Sequence, residues 1–317
     1  MSGCLESQRG SAGVCAVVVT YRPAGTVTEN LRAMLRECGR LVVVDNGSSE
    51  SSRALVAAVE GVEVIPLIEN QGIASALNRG MECAAAAGFE WVVTFDQDSL
   101  PEPGMVAALL ETARRDIRTA MIGPVIHEDA MMGRAGLWLR RHRRLPLFFE
   151  RVSTDGRDLP DVTMVITSGA LTSVRAWREI GGFDEKLFID YVDTDFCLRL
   201  RSAGWRVAVS SRARLVHHLG NREVRKLMGR KFFPTHHSPL RHYYIARNRI
   251  LMIGRHAWRH PHWMMFECFA VLMWTFRVLA FERERRVKFI AMAMGTRDGL
   301  RGRFGVCSER VRARLGA

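Results

Sequence analysis

The 317-residue chain has seven cysteines (Cys4, Cys15, Cys38, Cys83, Cys197, Cys268, Cys307), odd in number and scattered, with no Cys-x-x-Cys pair. Neither a disulfide framework nor a zinc knuckle fits that spacing, which points to a reducing compartment. Residues 1–13 hold no apolar stretch, and the first apolar run, residues 14–19, is too short for a secretion signal, so no export is expected. An uninterrupted spanning segment is also missing. Residues 263–281 are strongly apolar but contain Glu267 and Arg277, and an ionised group near the bilayer centre costs roughly 2.5–3.5 kcal/mol. An interfacial or core helix is expected there instead of a span. With 48% hydrophobic and 25% charged residues, the chain is not collagen-like, mucin-like or wholly disordered. Its length allows one large domain or two modest ones, with a core that needs no covalent staples.

What is present is positive charge, unevenly placed. The formal net charge is +13, yet residues 212–317 carry 23 Lys+Arg against 6 Asp+Glu, a net of +17, and residues 1–211 carry 23 against 27, a net of −4. A nucleic-acid-binding protein is the reading that a bare isoelectric point suggests. It gives no reason for a slightly acidic body, and no nucleic acid is expected as partner.

That body alternates. Short β-branched runs at 14–20, 41–44, 62–68, 91–95 and 121–126 read as buried strands, and 27–38, 54–59, 71–87 and 103–114 read as helices. The alternation predicts an α/β fold with a parallel sheet covered on both faces, whose ligands bind where the strand carboxyl ends meet their loops. Thr20-Tyr21, Asp45-Asn46, Asn70 and Asp96-Gln97-Asp98 all fall there. Independent turn formers and caps would explain one such position more readily than four. Residues 127–161 interrupt the pattern with mixed basic and bulky apolar residues, a solvated loop or a contact for acceptor or membrane. Apolar β character resumes at 162–174, followed by a short helix at 175–180, a turn at 181–185, a helix at 193–203 and strands at 205–209 and 213–216.

Two carboxylates at a strand mouth, Asp96 and Asp98, point the same way if the chain stays extended, and their repulsion is relieved by a cation. Mg²⁺ or Mn²⁺ takes oxygen ligands and bridges diphosphates. Asp190, Asp193 and Asp195 precede an apolar helix, where a cap and a dipole partner account for one or two of them and leave a third for general-base work. His217-His218 ends a strand, where an imidazole serves either a metal or a structural hydrogen bond.

The runs Val17-Val18-Val19-Thr20-Tyr21, Val43-Val44-Asp45-Asn46-Gly47-Ser48, Asn70-Gln71-Gly72-Ile73-Ala74-Ser75-Ala76-Leu77-Asn78-Arg79-Gly80 and Phe95-Asp96-Gln97-Asp98-Ser99 resemble family 2 glycosyltransferases with the GT-A fold. Ser168-Gly169, Gly181-Gly182-Phe183-Asp184-Glu185, Tyr191-Val192-Asp193-Thr194-Asp195 and His217-His218-Leu219-Gly220 continue the resemblance in order. The Asp-Gln-Asp-Ser form, with Tyr243-Tyr244-Ile245-Ala246-Arg247-Asn248, looks most like the bacterial rhamnosyltransferase branch.

The resemblance implies a Rossmann-like nucleotide-diphospho-sugar transferase domain over residues 14–220, its nucleotide-sugar half at 14–126 and its acceptor and catalytic half at 127–220. A flexible N-terminus (1–13) and a mainly helical, basic C-terminal region (221–317) flank it. It implies that Thr20, Tyr21, Asp45, Asn70, Gly72, Asn78 and Asp96 hold the donor, and that Asp98, Asp96 and His217 hold Mg²⁺ or Mn²⁺. Asp193 is implied as the catalytic base, with Val192 standing where the family usually has glutamate and Asp190 or Asp195 able to share the task. The implied reaction is inverting transfer of L-rhamnose from dTDP-L-rhamnose to a cell-surface or lipid-linked glycan, with a UDP- or GDP-sugar as the alternative donor. A cytoplasmic protein on the inner face of the bacterial plasma membrane follows. Arg283, Arg285, Arg286 and Lys288, after the apolar 263–281 stretch, suit anionic head groups; a helical lid packed on the catalytic domain is the other reading of that region.

Overall fold

Every residue of the first strand, β1 (Val14–Thr20), is buried, as a sheet covered on both faces requires. The structure is a computed structural model that describes residues 13–127, 137–217, 225–227, 230–232 and 236–316. From β1 the chain passes through α1 (Val27–Glu37), β2 (Arg40–Asp45), α2 (Glu50–Ala57), β3 (Val62–Pro66), α3 (Ile73–Ala86), β4 (Trp91–Asp96), β5 (Ser99–Pro101), α4 (Met105–Arg114) and β6 (Thr119–His127). The interruption contains a two-stranded sheet of β7 (Trp138–Arg141) and β8 (Phe149–Val152). Then come β9 (Ala170–Ser173), α5 (Val174–Glu179), α6 (Val192–Ser202), β10 (Arg206–His217), and the antiparallel pair β11 (Arg225–Leu227) and β12 (Arg230–Phe232). Four helices follow: α7 (Pro239–His256), α8 (Pro261–Phe281), α9 (Arg285–Leu300) and α10 (Glu309–Leu315). The N-terminal stretch 1–12, residues 128–136 and His218-Leu219-Gly220 lie outside the described residues.

The main sheet has eight strands in the order β3-β2-β1-β4-β9-β6-β10-β5. β3, β2, β1 and β4 are parallel, but β9 runs antiparallel between β4 and β6, and β5 antiparallel beside β10. The five strands expected within residues 14–126 run parallel to one another, as β9 is antiparallel to both β4 and β6, and the added β9 and β5 make the sheet a mixed one. A parallel neighbour for β4 would need a helical crossover, and the edge of β4 is taken instead by a four-residue strand entering from the opposite direction. The two strands expected at 205–209 and 213–216 are one strand with a register shift between Val209 and Arg214, an irregularity of the bulge kind.

The chain forms two compact units: residues 1–140, 151–185 and 192–218 make one, and residues 141–150, 186–191 and 219–317 the other. The first holds the sheet, and its core includes Ala16, Val18, Leu31, Val43, Phe95 and Leu109, all buried.

The second is helical, and α9 lies unusually close to α7. A Cβ on Gly295 would overlap the Tyr243 carbonyl oxygen, and one on Gly299 would fall 2.7 Å from that of Arg247. The Tyr243–Asn248 motif is explained here. Tyr243 Oη donates to Asp298 (3.0 Å), the Cys307 N–H donates to Tyr244 Oη (3.0 Å), and Arg247 Nη1 donates to the Gly305 carbonyl (2.6 Å). Asn248 Nδ2 donates to the carbonyls of Leu187 (2.7 Å) and Ile189 (2.8 Å). Those bonds hold a loop in which Phe188, Asp190 and Tyr191 all have φ between 61° and 64°, a region sparsely populated without glycine.

A buried ion group closes the α8–α9 corner. Lys288 Nζ lies 2.7 Å and His242 Nε2 3.4 Å from Glu282 Oε2. Lys288, assigned above to lipid head groups, is therefore corrected to an interior partner, because an ammonium can be buried only when paired.

Two tests address this unit. Gly295→Ala lowers its melting temperature through overpacking of about 1–3 kcal/mol, read by thermal unfolding, whereas Gly254→Ala, within helix α7 and with nothing within 4 Å, does not lower it. The second concerns pH. Burial, then the charges of Arg241 and His242, pushes His237 down to about 4 from 6.5. Burial alone would raise Glu282, but Lys288 and His242 outweigh it and hold the carboxyl at about 2. Both groups bind a proton more readily when unfolded, so stability is full above pH 6.5, falls first toward pH 4 through His237, and falls again below 4.5 through Glu282. Denaturant midpoints measured across this range check the order of the two losses.

Candidate active site

Parallel register brings the rim together. Thr20 pairs with Asp45 and Val19 with Asp96, so the carboxyl ends of β2, β1 and β4 lie abreast. Asp45 is fully buried; its Oδ1 accepts from Thr20 Oγ1 (3.3 Å) and its Oδ2 from the Ser48 N–H (3.1 Å). Gly47 between them has φ +81°, and a Cβ there would sit 2.5 Å from the Glu69 carbonyl carbon, so the turn admits only glycine. Asn46 ties this turn to the next loop: its Nδ2 donates to Asn70 Oδ1 (3.2 Å) and its Oδ1 accepts the Gln71 N–H (2.9 Å). Asn70 Oδ1 also accepts the N–H of Gly72, which caps α3 (2.9 Å).

Tyr21, 38% exposed, is tied to the β4 end. Its N–H donates to Gln97 Oε1 (2.9 Å), and Gln97 Nε2 donates back to its carbonyl (3.3 Å). Thr20, Tyr21, Asp45, Asn70, Gly72 and Asp96 thus belong to one connected rim. Asn78 stands apart from it. Its Nδ2 donates to the Phe183 carbonyl and Glu185 Oε1 (both 2.9 Å), and its Oδ1 accepts from the Phe183 N–H (2.8 Å) and Trp177 Nε1 (3.2 Å). All four amide positions are engaged with the 177–185 segment. Sequence reasoning missed Gln97, Ser48 and Ser168; the last accepts the Asp96 N–H (3.2 Å) and meets Ser99 Oγ at 2.6 Å. Gln97 and Ser168 sit inside motifs already singled out, which was the available signal.

Asp96 ends β4 half-buried, and Asp98 is exposed in the turn before β5. The extended Asp-x-Asp geometry is corrected to a turn, since the chain must leave β4 for β5 within two residues. β5 pairs with β10 so that the backbone of His217 lies opposite Ser99, the residue after Asp98. Among the described side chains no three His, Cys, Asp or Glu gather as a metal cluster; His217 is placed by its backbone. Two carboxylates, with the backbone of a histidine paired next to them, are a donor set of the kind a hard divalent cation takes.

Of the three aspartates near α6, two have structural partners. Asp190 is held by a two-pronged contact from Arg241, with Nη2 at 2.9 Å and Nε at 3.2 Å. Asp195 is fully buried, 2.6 Å from Arg199 Nε, and Arg199 also reaches the carbonyls of Ile180 and Gly182. Asp193 is half-buried in the first turn of α6, its Oδ1 accepting the Thr194 N–H at 2.7 Å, with Thr194 Oγ1 3.3 Å away. A helix N-terminus favours the ionised carboxylate there. The chain thus presents a carboxylate of fixed orientation, suited to accepting a proton.

Known proteins are similar to this chain in sequence and in fold. Residues 15–181 match Glycosyl transferase family 2. The chain is 31% identical to the dTDP-rhamnosyl transferase RfbF of Shigella flexneri, over 92% of this chain and 97% of that protein. It is 28% identical to the N-acetylglucosaminyl-diphospho-decaprenol L-rhamnosyltransferase of Mycobacterium tuberculosis, over 82% and 88%. Among solved structures, S. aureus TarS (residues 1–349) in complex with UDP-GlcNAc superposes with a TM-score of 0.57 at 16% identity, covering 95% of this chain and 83% of TarS. GalNAc-T7 with UDP, GalNAc and Mn²⁺ gives 0.52 at 13% identity, over 68% and 44%. With its mixed sheet, its rim of strand-end carboxylates and amides, and its helical C-terminal part, the chain belongs to glycosyl transferase family 2 and is a glycosyltransferase of the GT-A fold.

Proposed function

We propose that the chain transfers L-rhamnose from dTDP-L-rhamnose, with inversion, to a growing cell-surface polysaccharide or lipid-linked glycan. The observation that carries this is similarity to a dTDP-rhamnosyl transferase along 97% of that relative's length, joined by a second rhamnosyltransferase whose named acceptor is a diphospho-decaprenol glycan. The base and ribose of the donor seat against Tyr21 and the turn that Asp45 holds from beneath through Ser48. Asn70 and Gly72 line the same pocket, and Asn78 keeps the 177–185 turn against α3. Asp96, Asp98 and His217 would hold Mg²⁺ or Mn²⁺, which when bound offsets the charge gathering on the departing diphosphate.

Asp193 takes the proton from the acceptor hydroxyl as its oxygen bonds to the anomeric carbon. The bond to the diphosphate oxygen breaks on the opposite face, and both electrons leave with it. Thr194 keeps Asp193 aimed through this step. The protein works in the cytoplasm, on the inner face of the bacterial plasma membrane, and its basic helical unit makes the peripheral contact. A UDP-sugar donor is the second reading, favoured by the TarS complex with UDP-GlcNAc.

Asp193→Asn is expected to lower the turnover number by about 10²–10⁴-fold, the range for a lost general base, while calorimetry shows donor binding intact. Asp195→Asn is expected instead to lower thermal stability, because it leaves Arg199 without its buried partner. If Asp193→Asn retained full turnover, the base would be another group. A panel of dTDP-rhamnose, UDP-glucose, UDP-GlcNAc and GDP-mannose with Mn²⁺ tests the donor. Hydrolysis of dTDP-rhamnose in preference to the rest is expected, and turnover of a UDP-sugar alone would overturn the assignment.

A further inference from the structure

Helix α8 is apolar on two opposite sides. Trp263, Glu267, Trp274 and Val278 form its buried face, where Glu267 Oε1 pairs with Arg249 (2.9 Å) and the Tyr191 hydroxyl, and Trp274 stacks on His242. Met265, Phe269, Leu272, Phe276 and Leu279 recur at steps of four, three, four and three, and at 100° per residue they make a single stripe on the other side. This stripe is exposed, Leu272 to 70%. Within an 18-residue apolar window of α8 only 17% is buried, and among the described residues it is the one helix long and apolar enough to cross a membrane. The buried face argues against crossing, because Glu267 and Trp274 hold the helix to its own unit along most of its length.

Two more exposed apolar features belong to the same unit. Trp258, at the α7–α8 corner, is 95% exposed. The turn between β7 and β8 exposes Leu145, Leu147 and Phe148, and the next residue, Phe149, packs edge-on against Phe266 of α8 at 5.5 Å. The excursion at 127–161 and the apolar segment at 263–281, far apart in sequence, therefore meet. Exposed arginines flank each part: Arg143 and Arg144 at the turn, Arg259 beside Trp258, and Arg283 and Arg286 past the end of α8. The unit carries 25 Lys+Arg against 8 Asp+Glu, a net of +17.

We propose that this unit docks on an anionic lipid surface with α8 lying in the plane of the membrane, the Met265–Leu279 stripe and the 145–148 turn sunk to the boundary between head groups and acyl chains. The inference rests on the reading of the helical unit as the peripheral membrane contact and adds insertion to it. Charge selects the occupant. Pairing the stripe with that of a second copy would bring two strongly cationic units together, whereas anionic head groups complement the arginines. Tryptophan at the water–lipid boundary is the usual fate of a ring that is apolar on its faces and polar at its N–H.

The test uses the full-length protein with phosphatidylcholine vesicles, with and without phosphatidylglycerol, read by flotation and by quenching of tryptophan fluorescence by acyl-chain-brominated lipid. The protein is expected to float only with the anionic vesicles, to remain partly bound in high salt, and to be quenched, with Trp258→Phe removing most of the quenching. Phe269→Ser/Leu272→Ser is expected to weaken partitioning by at least about tenfold, from the apolar area it removes, with an unchanged melting temperature and unchanged donor binding. Salt-reversible binding that the double variant does not weaken would overturn insertion and leave the peripheral contact standing. No flotation of the wild type with either vesicle would overturn both. A dimer in solution that the double variant dissolves, with flotation unaltered, would assign the stripe to a second copy and overturn the proposal.

Discussion

Two residues, Gln97 and Asp98, join β4 to β5, and the geometry of the catalytic sheet depends on that shortness. In the strand order β5 lies four places from β4, a separation of roughly 19 Å in a flat sheet with strands about 4.8 Å apart. Three peptide steps from Asp96 to Ser99 reach at most about 11 Å. The sheet must therefore curl until its β10–β5 edge returns to the mouth of β4. The contact of Ser99 with Ser168, and of Ser168 with the Asp96 N–H, is where the curl closes. The same link brings the backbone of His217 next to Asp98 from 119 positions along the chain. The proposed metal-binding set at this point would thus be a product of chain length as much as of residue type.

The helical unit obeys a different constraint. It orders a loop with three left-handed non-glycine residues by collecting backbone carbonyls on Asn248 and Arg247, and it buries Glu282 with Lys288 and His242 at a helix corner. Buried ion groups of this kind contribute less stability than their short distances suggest, because desolvation opposes them. What they provide is a fixed corner between α8 and α9, so the face that α8 turns outward is fixed as well.

Much of this was legible in the sequence, and the failures have physical causes. β1, β2 and β4 were readable to within about a residue or two because an all-buried β-branched run has few other structures open to it. β9 was not, since the four residues Ala170–Ser173 carry no information about direction; the open edge of β4 decides that. Asp195 had a readable partner, Arg199 one helical turn away, whereas Arg241, the partner of Asp190, lies 51 residues on and only the fold brings it near. The apolar segment of α8 gave its length but not its two faces, because a helix apolar all round has almost no moment to read.

Val192 shows how the rim and the helix divide the work. The position usually held by glutamate is a buried valine, 4% exposed, so its side chain packs in the core and offers the neighbouring aspartate no polar support. Orientation of Asp193 comes from the other side, from the Thr194 N–H on Oδ1 and the nearby Thr194 hydroxyl. Both donors belong to the next residue on the same helical turn, so their geometry is set by the start of α6. The start of α6 is in turn fixed from within its own unit by Asp195, whose buried contact with Arg199 ties the helix to the Ile180 and Gly182 carbonyls. On the proposed mechanism, the missing glutamate is thereby replaced in its aiming role by Thr194, with Asp195 and Arg199 holding the helix that carries the base.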